Sequence, residues 1–276
     1  VTDANRDLVG ELVEAGIERR EARWLIEEFV PGGDLDALAA LHVAAQRRLD
    51  GEPLQYVLGH WPFRSLDLDV DPRVLIPRPE TEELVGVALL ELATLETPNP
   101  LMLDLGCGSG AIGLALLSEL KERGVLASLF SVDESEDALA VARRNALKHH
   151  LHAVTFVHSS WYSELDTALQ GRVDLIVANP PYVGDEEFAT LDPVLAHEPK
   201  SALVAPDANG VVGFEDLLII ISQAPQWLST NGILICEHAN THADAVRDAA
   251  ANAGFTTVDL RRDLAGHPRI MVARRS

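Results

Sequence analysis

Apolar residues follow one period in the first part of this chain and another in the rest. Leu8, Leu12, Val13 and Ile17 recur at three- to four-residue spacing, as do Trp24, Leu25 and Phe29, and then Leu35, Leu38, Leu41 and Ala45. That spacing lays an apolar stripe along each of several short helices. Asp34 stands where an N-cap opens the third of them, and Gly51 where it ends. The texture changes at Pro53. Pro53, Gly59, Pro62, Pro72, Pro77 and Pro79 break the chain into short runs, and the alternation Leu66-Asp67-Leu68-Asp69-Val70 predicts a strand in a hairpin. Ile76 to Glu83 then lead into a helix with an apolar stripe through Leu84, Val87, Ala88 and Leu92.

From Leu101 onward, strand and helix patterns alternate. Strands are predicted over 101–105, 129–133, 155–157, 175–178, 233–237, 256–259 and 270–273, with helices over 111–123, 135–149, 213–227 and 241–253. This order predicts an α/β fold, a seven-stranded and mostly parallel Rossmann-like sheet with helices on both faces. Residues 1–74 then form a small helical domain with a β-hairpin linker, and residues 75–276 the larger domain. Ligands of such sheets bind beyond the carboxyl ends of the strands, at the switch in strand order.

Composition narrows the partners. Apolar residues make up 47% and charged residues 24% of the 276 positions, which excludes wholesale disorder. Acidic residues outnumber basic ones 43 to 22, for a net charge of −21, and both the first 74 residues and the remainder are acidic. Nucleic acids attract proteins largely by phosphate neutralisation, so tight, free-standing nucleic-acid binding is not expected. Cys107 and Cys236 are too few for a disulfide framework or a cysteine-rich zinc site. No run reaches the roughly 18 apolar residues of a membrane span. The polar start at Val1 to Glu11 differs from a signal peptide, so a cytoplasmic protein is expected.

Two motifs carry chemistry. Asp104-Leu105-Gly106-Cys107-Gly108-Ser109-Gly110 follows the first large-domain strand and opens a helix. Its glycines let the backbone turn tightly and approach a ligand closely. Asp133 ends the next strand, where a carboxylate can accept from both ribose hydroxyls. Gly108 to Gly113 also satisfies the dinucleotide fingerprint, so the loop by itself leaves NAD and S-adenosylmethionine both open. Asn179-Pro180-Pro181-Tyr182 follows the strand at 175–178. The Asn179 side-chain carbonyl accepts from an NH₂ group. The proline rings fix φ, which can hold the Pro180 carbonyl toward a cleft. Two acceptors on one planar NH₂ would grip both hydrogens and turn a delocalised lone pair toward an electrophilic methyl group. Tyr182 offers an aromatic face for a flat amide or base.

With Pro53 to Gly59, Leu75 to Glu82, Glu198-Pro199 and Arg262 to His267, these motifs make the chain resemble the protein-(glutamine-N5) methyltransferases that modify peptide chain release factors. The resemblance implies a class I methyltransferase fold, S-adenosylmethionine as cofactor, and the glutamine of the release factor's Gly-Gly-Gln motif as substrate. It implies cofactor contacts from Gly106, Cys107, Gly108, Ser109, Gly110, Asp133, Trp161 and Asn179. It implies a glutamine pocket from Asn179, Pro180, Pro181 and Tyr182, with catalysis by Asn179 and Pro180. No metal is implied. The helical segment would help to recognise the release factor.

Ser160 stands where relatives usually carry an acid, and Ala239 and His242 depart from the common glycine and glutamine. Amino-directed methylation of adenine N6 or guanine N2 would suit the same acceptor pair. A silent binding module and a nicotinamide dehydrogenase are further alternatives. Glu198 is expected to shape the substrate entrance. His149, His150 and His152 read as a solvated turn, and the arginines from Arg261 to Arg275 as a solvated edge, with RNA contact the alternative.

Overall fold

A computed structural model describes residues 3–31, 37–95, 97–263 and 265–275. Helices α1 (Asp3–Glu14), α2 (Arg19–Phe29), α3 (Leu38–Leu49) and α4 (Leu54–Leu58) enclose a core of their own that includes Leu12, Ile17, Leu25, Ile26, Leu41 and Leu54. The expected cap at Asp34 and the stripe residue Leu35 lie outside the described residues. Helix α4 was not foreseen in a stretch read as broken. Pro53, with φ −52°, presets the entry to that turn, and Gly59, with φ +82°, ends it.

The expected hairpin forms between β1 (His60–Phe63) and β2 (Leu66–Asp69). Helix α5 (Pro79–Thr94) leads into the alternating region: β3 (Leu101–Leu105), α6 (Ala111–Glu122), β4 (Ser128–Asp133), α7 (Glu136–Lys148) and β5 (Val154–His158). After these come β6 (Val173–Ala178), the short α8 (Asp185–Phe188), α9 (Glu215–Trp227), β7 (Leu228–Glu237), α10 (Ala243–Asn252), β8 (Thr257–Arg262) and β9 (Pro268–Arg274). All seven predicted strands join one sheet in the order β5-β4-β3-β6-β7-β9-β8. Only β9 runs against its neighbours. The chain leaves β3 toward β5 and returns to β6 on the other side, so the switch in strand order falls between β3 and β6.

Both faces of the sheet are covered, which is why its central strands are apolar almost throughout. One face packs Met102, Leu129, Leu175 and Ile235 under α5, α6 and the hairpin residue Leu68. The other packs Leu103, Ile176 and Leu234 under α9 and α10. Of the arginines near the C-terminus, Arg261 and Arg262 are exposed, while Arg274 and Arg275 bond to this sheet and the helices beside it. Arg274 pairs with Glu91 at 2.6 Å and Asp259 at 2.8 Å, and Arg275 donates to the Leu228 carbonyl at 2.8 Å.

Asn145 on α7 fastens the hairpin to the glycine loop. Its Oδ1 accepts from the Asp69 N–H at 2.7 Å, and its Nδ2 donates to the carbonyls of Asp69 (3.0 Å) and Ser109 (2.9 Å). The side chain is fully buried, so these groups have no water to fall back on. Asn145→Ala should therefore cost about 3 kcal/mol in urea-unfolding free energy, since several buried polar groups lose a partner at once. A loss below about 1 kcal/mol would show that the hairpin is held by other contacts.

Candidate active site

A cavity of about 380 Å³ opens beyond the carboxyl ends of β3, β4 and β6, within the size range of small-molecule sites. Gly106, Gly108, Asp133, Trp161, Asn179 and Pro181 stand on its wall, so both sequence motifs reach it. Cys107, Ser109 and Gly110 build the loop from behind. The Cys107 N–H donates to the Val132 carbonyl at 2.9 Å, the Ser109 carbonyl is taken by Asn145, and Gly110, with φ +82°, turns the chain into α6. Burial pushes the Cys107 thiol well up, which leaves it a packing residue rather than a nucleophile.

The loop and Asp133 hold each other. The Gly108 N–H donates to Asp133 Oδ2 at 2.8 Å and the Ser135 N–H to Oδ1 at 2.9 Å. Each oxygen keeps a lone pair, and together they match a vicinal diol. Burial raises the pKa of this carboxyl, and the two N–H bonds oppose that rise. Trp161 closes the other side. A Cβ at Gly106 would come within 3.2 Å of its ring, so only glycine leaves the approach free. The indole N–H donates to Asp216 Oδ1 on α9 at 3.0 Å, and Asp216 also lines the cavity. No motif flags Asp216, because it is a lone acid inside a helical pattern.

Asn179 is not held by its own motif. Its Nδ2 donates to Thr81 Oγ1 at 3.1 Å, Thr81 Oγ1 donates to Glu237 Oε2 at 2.8 Å, and the Tyr182 O–H donates to Glu237 Oε1 at 3.2 Å. Thr81 and Glu237 are buried at 4% and 2% exposure, so the chain of bonds is shielded from water. Pro180 is buried. Tyr182 is half-buried against the α9 face of the core, with its hydroxyl committed to Glu237.

Glu198 has a different partner from the one a loop residue would suggest. It is buried, with Oε2 accepting from the Ile76 N–H at 3.0 Å and Oε1 bound to the Arg78 guanidinium. The carboxylate pins the proline-rich stretch to the loop carrying Pro199, Ser201 and Ala202, which form part of the cavity wall. Glu198 itself is not on the cavity wall, and so it is not placed to act as a base there.

Similarity to known proteins agrees with this geometry. The methyltransferase small domain family matches residues 85–203. The release factor glutamine methyltransferase of Pseudomonas aeruginosa is 43% identical over 224 residues, 81% of this chain and 76% of that protein. That of Escherichia coli is 36% identical over 282 residues, 98% of this chain and 96% of that protein. The chain belongs to the release factor glutamine methyltransferase family. Among solved structures, a methyltransferase from Pyrococcus furiosus superposes with a TM-score of 0.52 at 14% identity, covering 87% of this chain and 97% of that one. The Thermus thermophilus 16S rRNA N2 G1207 methyltransferase, solved with AdoMet and guanosine, gives 0.55 at 15% identity, covering 79% and 50%. Both share the class I methyltransferase fold. No helix among the described residues is long and apolar enough to cross a membrane.

The residues present fit the S-adenosylmethionine that a methyltransferase of this family uses. Asp133 offers paired acceptors for a ribose, Trp161 a flat wall for a base, and Gly106 and Gly108 a wall of bare backbone.

Asp104 lies beneath that cradle and is fully buried. Its Oδ2 accepts from the Gly113 N–H at 2.9 Å, while Oδ1 has no partner among the described residues. Burial raises its pKa to about 7, which the Gly113 bond opposes and nearby Asp133 reinforces. The folded protein therefore holds a proton that the unfolded chain releases near pH 4, and stability contributed by this group falls as pH rises from about 4 to about 7. Asp104→Asn should remove that component. Relative to the unaltered protein, the variant should gain stability steadily across this window in urea unfolding. A difference independent of pH would show that Asp104 ionises normally.

Proposed function

We propose that this protein transfers a methyl group from S-adenosylmethionine to the side-chain amide nitrogen (N5) of the glutamine in the Gly-Gly-Gln motif of peptide chain release factors, in the cytoplasm. The observation that carries this reading is the Asn179 amide. It is tied inward through Nδ2 and stands on the wall of the cavity that the glycine loop and Asp133 also line.

S-adenosylmethionine, when bound, supplies an electrophilic methyl group on a sulfonium. Gly106, Cys107, Gly108, Ser109 and Gly110 shape the loop that receives it, with Asp133 on its ribose and Trp161 beside its base. Asn179 Oδ1 and the Pro180 carbonyl accept the two N–H bonds of the substrate carboxamide, and Pro181 and Tyr182 complete its pocket. Holding both hydrogens fixes the amide plane so that the nitrogen lone pair faces the methyl group along one line of approach. The two acceptors also favour the positive charge that develops on nitrogen. No strong base is needed, because the methylated nitrogen is acidic and releases its proton to water. Residues 1–74 act as the recognition unit for the release factor, and residues 75–276 as the methyltransferase domain.

Incubated with S-adenosylmethionine and an unmethylated release factor, the protein should add one methyl group to the glutamine of the Gly-Gly-Gln peptide, read by mass spectrometry. Asn179→Ala should lower kcat/KM at least about 100-fold while S-adenosylhomocysteine still binds, since an oriented acceptor in a catalytic site is commonly worth that much. Methylation of RNA or DNA with none of the release factor would reverse the assignment. Near-normal turnover by the variant would remove the amide grip.

A further inference from the structure

We infer that Thr81 and Glu237 are positioning residues that fix which way round the Asn179 amide faces the cleft. The inference rests on amide methylation at Asn179 and adds to it the two groups that make its acceptor point the right way. An asparagine amide has nearly the same shape either way round, so neither the motif nor the proline rings decide whether oxygen or NH₂ meets the substrate. A substrate NH₂ facing another NH₂ would find no acceptor there, and its nitrogen would not be oriented for transfer.

The direction comes from the far end of the hydrogen-bond chain. Glu237 ends β7 with both oxygens accepting, Oε2 from the Thr81 hydroxyl and Oε1 from the Tyr182 hydroxyl. A hydroxyl has one proton, and Thr81 has given its proton to Glu237. Toward Asn179 it therefore presents only lone pairs, and Asn179 answers with Nδ2. Because the amide is planar, committing Nδ2 to Thr81 commits Oδ1 away from it. The reversed amide would set oxygen against oxygen at about the same separation beside the buried Thr81 hydroxyl, where an unmade bond is costly.

The backbone builds this chain without adjustment. Ala178 on β6 lies opposite Cys236 on β7, so the next residues, Asn179 and Glu237, come side by side at the end of the sheet. Thr81 reaches both from the first turn of α5, just beyond the stretch that Glu198 clamps through Ile76 and Arg78. Burial, with the charge of Glu80, raises the Glu237 pKa, and the bonds from Thr81 and Tyr182 and the charge of Arg269 on β9 oppose that rise.

Thr81→Val keeps the shape and removes the hydroxyl, and Thr81→Ser restores it. In release-factor methylation assays Thr81→Val should lower kcat about 10- to 100-fold, the usual cost of a misplaced catalytic contact. KM for the release factor and the calorimetric affinity for S-adenosylhomocysteine should stay within about threefold, because the amide's direction sets the orientation of the reacting nitrogen and is one contact among the many that hold either molecule. Thr81→Ser should recover kcat to within about threefold. If Thr81→Val does not fold, judged by that affinity, Thr81→Ala is read in its place. Turnover by the hydroxyl-less variant at the unaltered rate, or an equal loss in Thr81→Ser, would overturn the inference alone. An unaltered protein that methylates no release factor would overturn the functional reading and the inference with it.

Discussion

The register of four parallel strands determines the geometry of everything else. Leu105 on β3 lies opposite Val132 on β4 and Ala178 on β6, and Ala178 lies opposite Cys236 on β7. The next residue of each strand is thus delivered to the same level: Gly106, Asp133, Asn179 and Glu237 in or behind one wall. These four span more than a hundred positions in sequence. Hydrogen bonding between the strands aligns them before any side chain acts. A slip of one residue would turn each strand's inward side chains to the opposite face, so the apolar core that fixes the register also fixes the site.

Polar groups placed deep inside the molecule carry the remaining specificity. Asp104, Asn145, Glu198 and Glu237 are all buried, and an unsatisfied group in such a position is costly. Asn145, Glu198 and Glu237 use their bonding capacity across elements that apolar contact alone would leave free to slide. Asn145 joins hairpin to loop, Glu198 joins the proline-rich stretch to the cavity wall, and Glu237 joins two motif residues to one another. Asp104 is the exception, with one oxygen unpaired among the described residues and its pKa raised by burial.

The strands, the glycine loop, Asp133 and Asn179 were legible because their signals are local. Apolar runs, glycines after a strand and a rigid double proline each declare themselves within a few residues. Thr81, Asp216 and Glu237 were not. Thr81 is bonded to residues 98 and 156 positions away, and nothing near it in sequence says so. Trp161 could be placed by resemblance, but its partner across 55 positions could not. Glu198 was seen as part of the entrance, yet its pairing with Arg78 depends on two loops meeting in space. Helix α4 was obscured by flanking Pro53 and Gly59, which read as breakers and in fact bound a single turn.

The fastening at Asn145 has a consequence for where this protein can be divided. Cutting the chain between hairpin and catalytic sheet, as the change in sequence texture near residue 74 invites, would strip Asn145 of its two bonds to Asp69 and keep only the one to Ser109. Two of the amide's three bonds, and with them the brace behind the cofactor loop, belong to the segment upstream of the cut. The seam drawn by composition therefore runs through a shared joint, and the smallest piece that keeps the loop braced begins before β1.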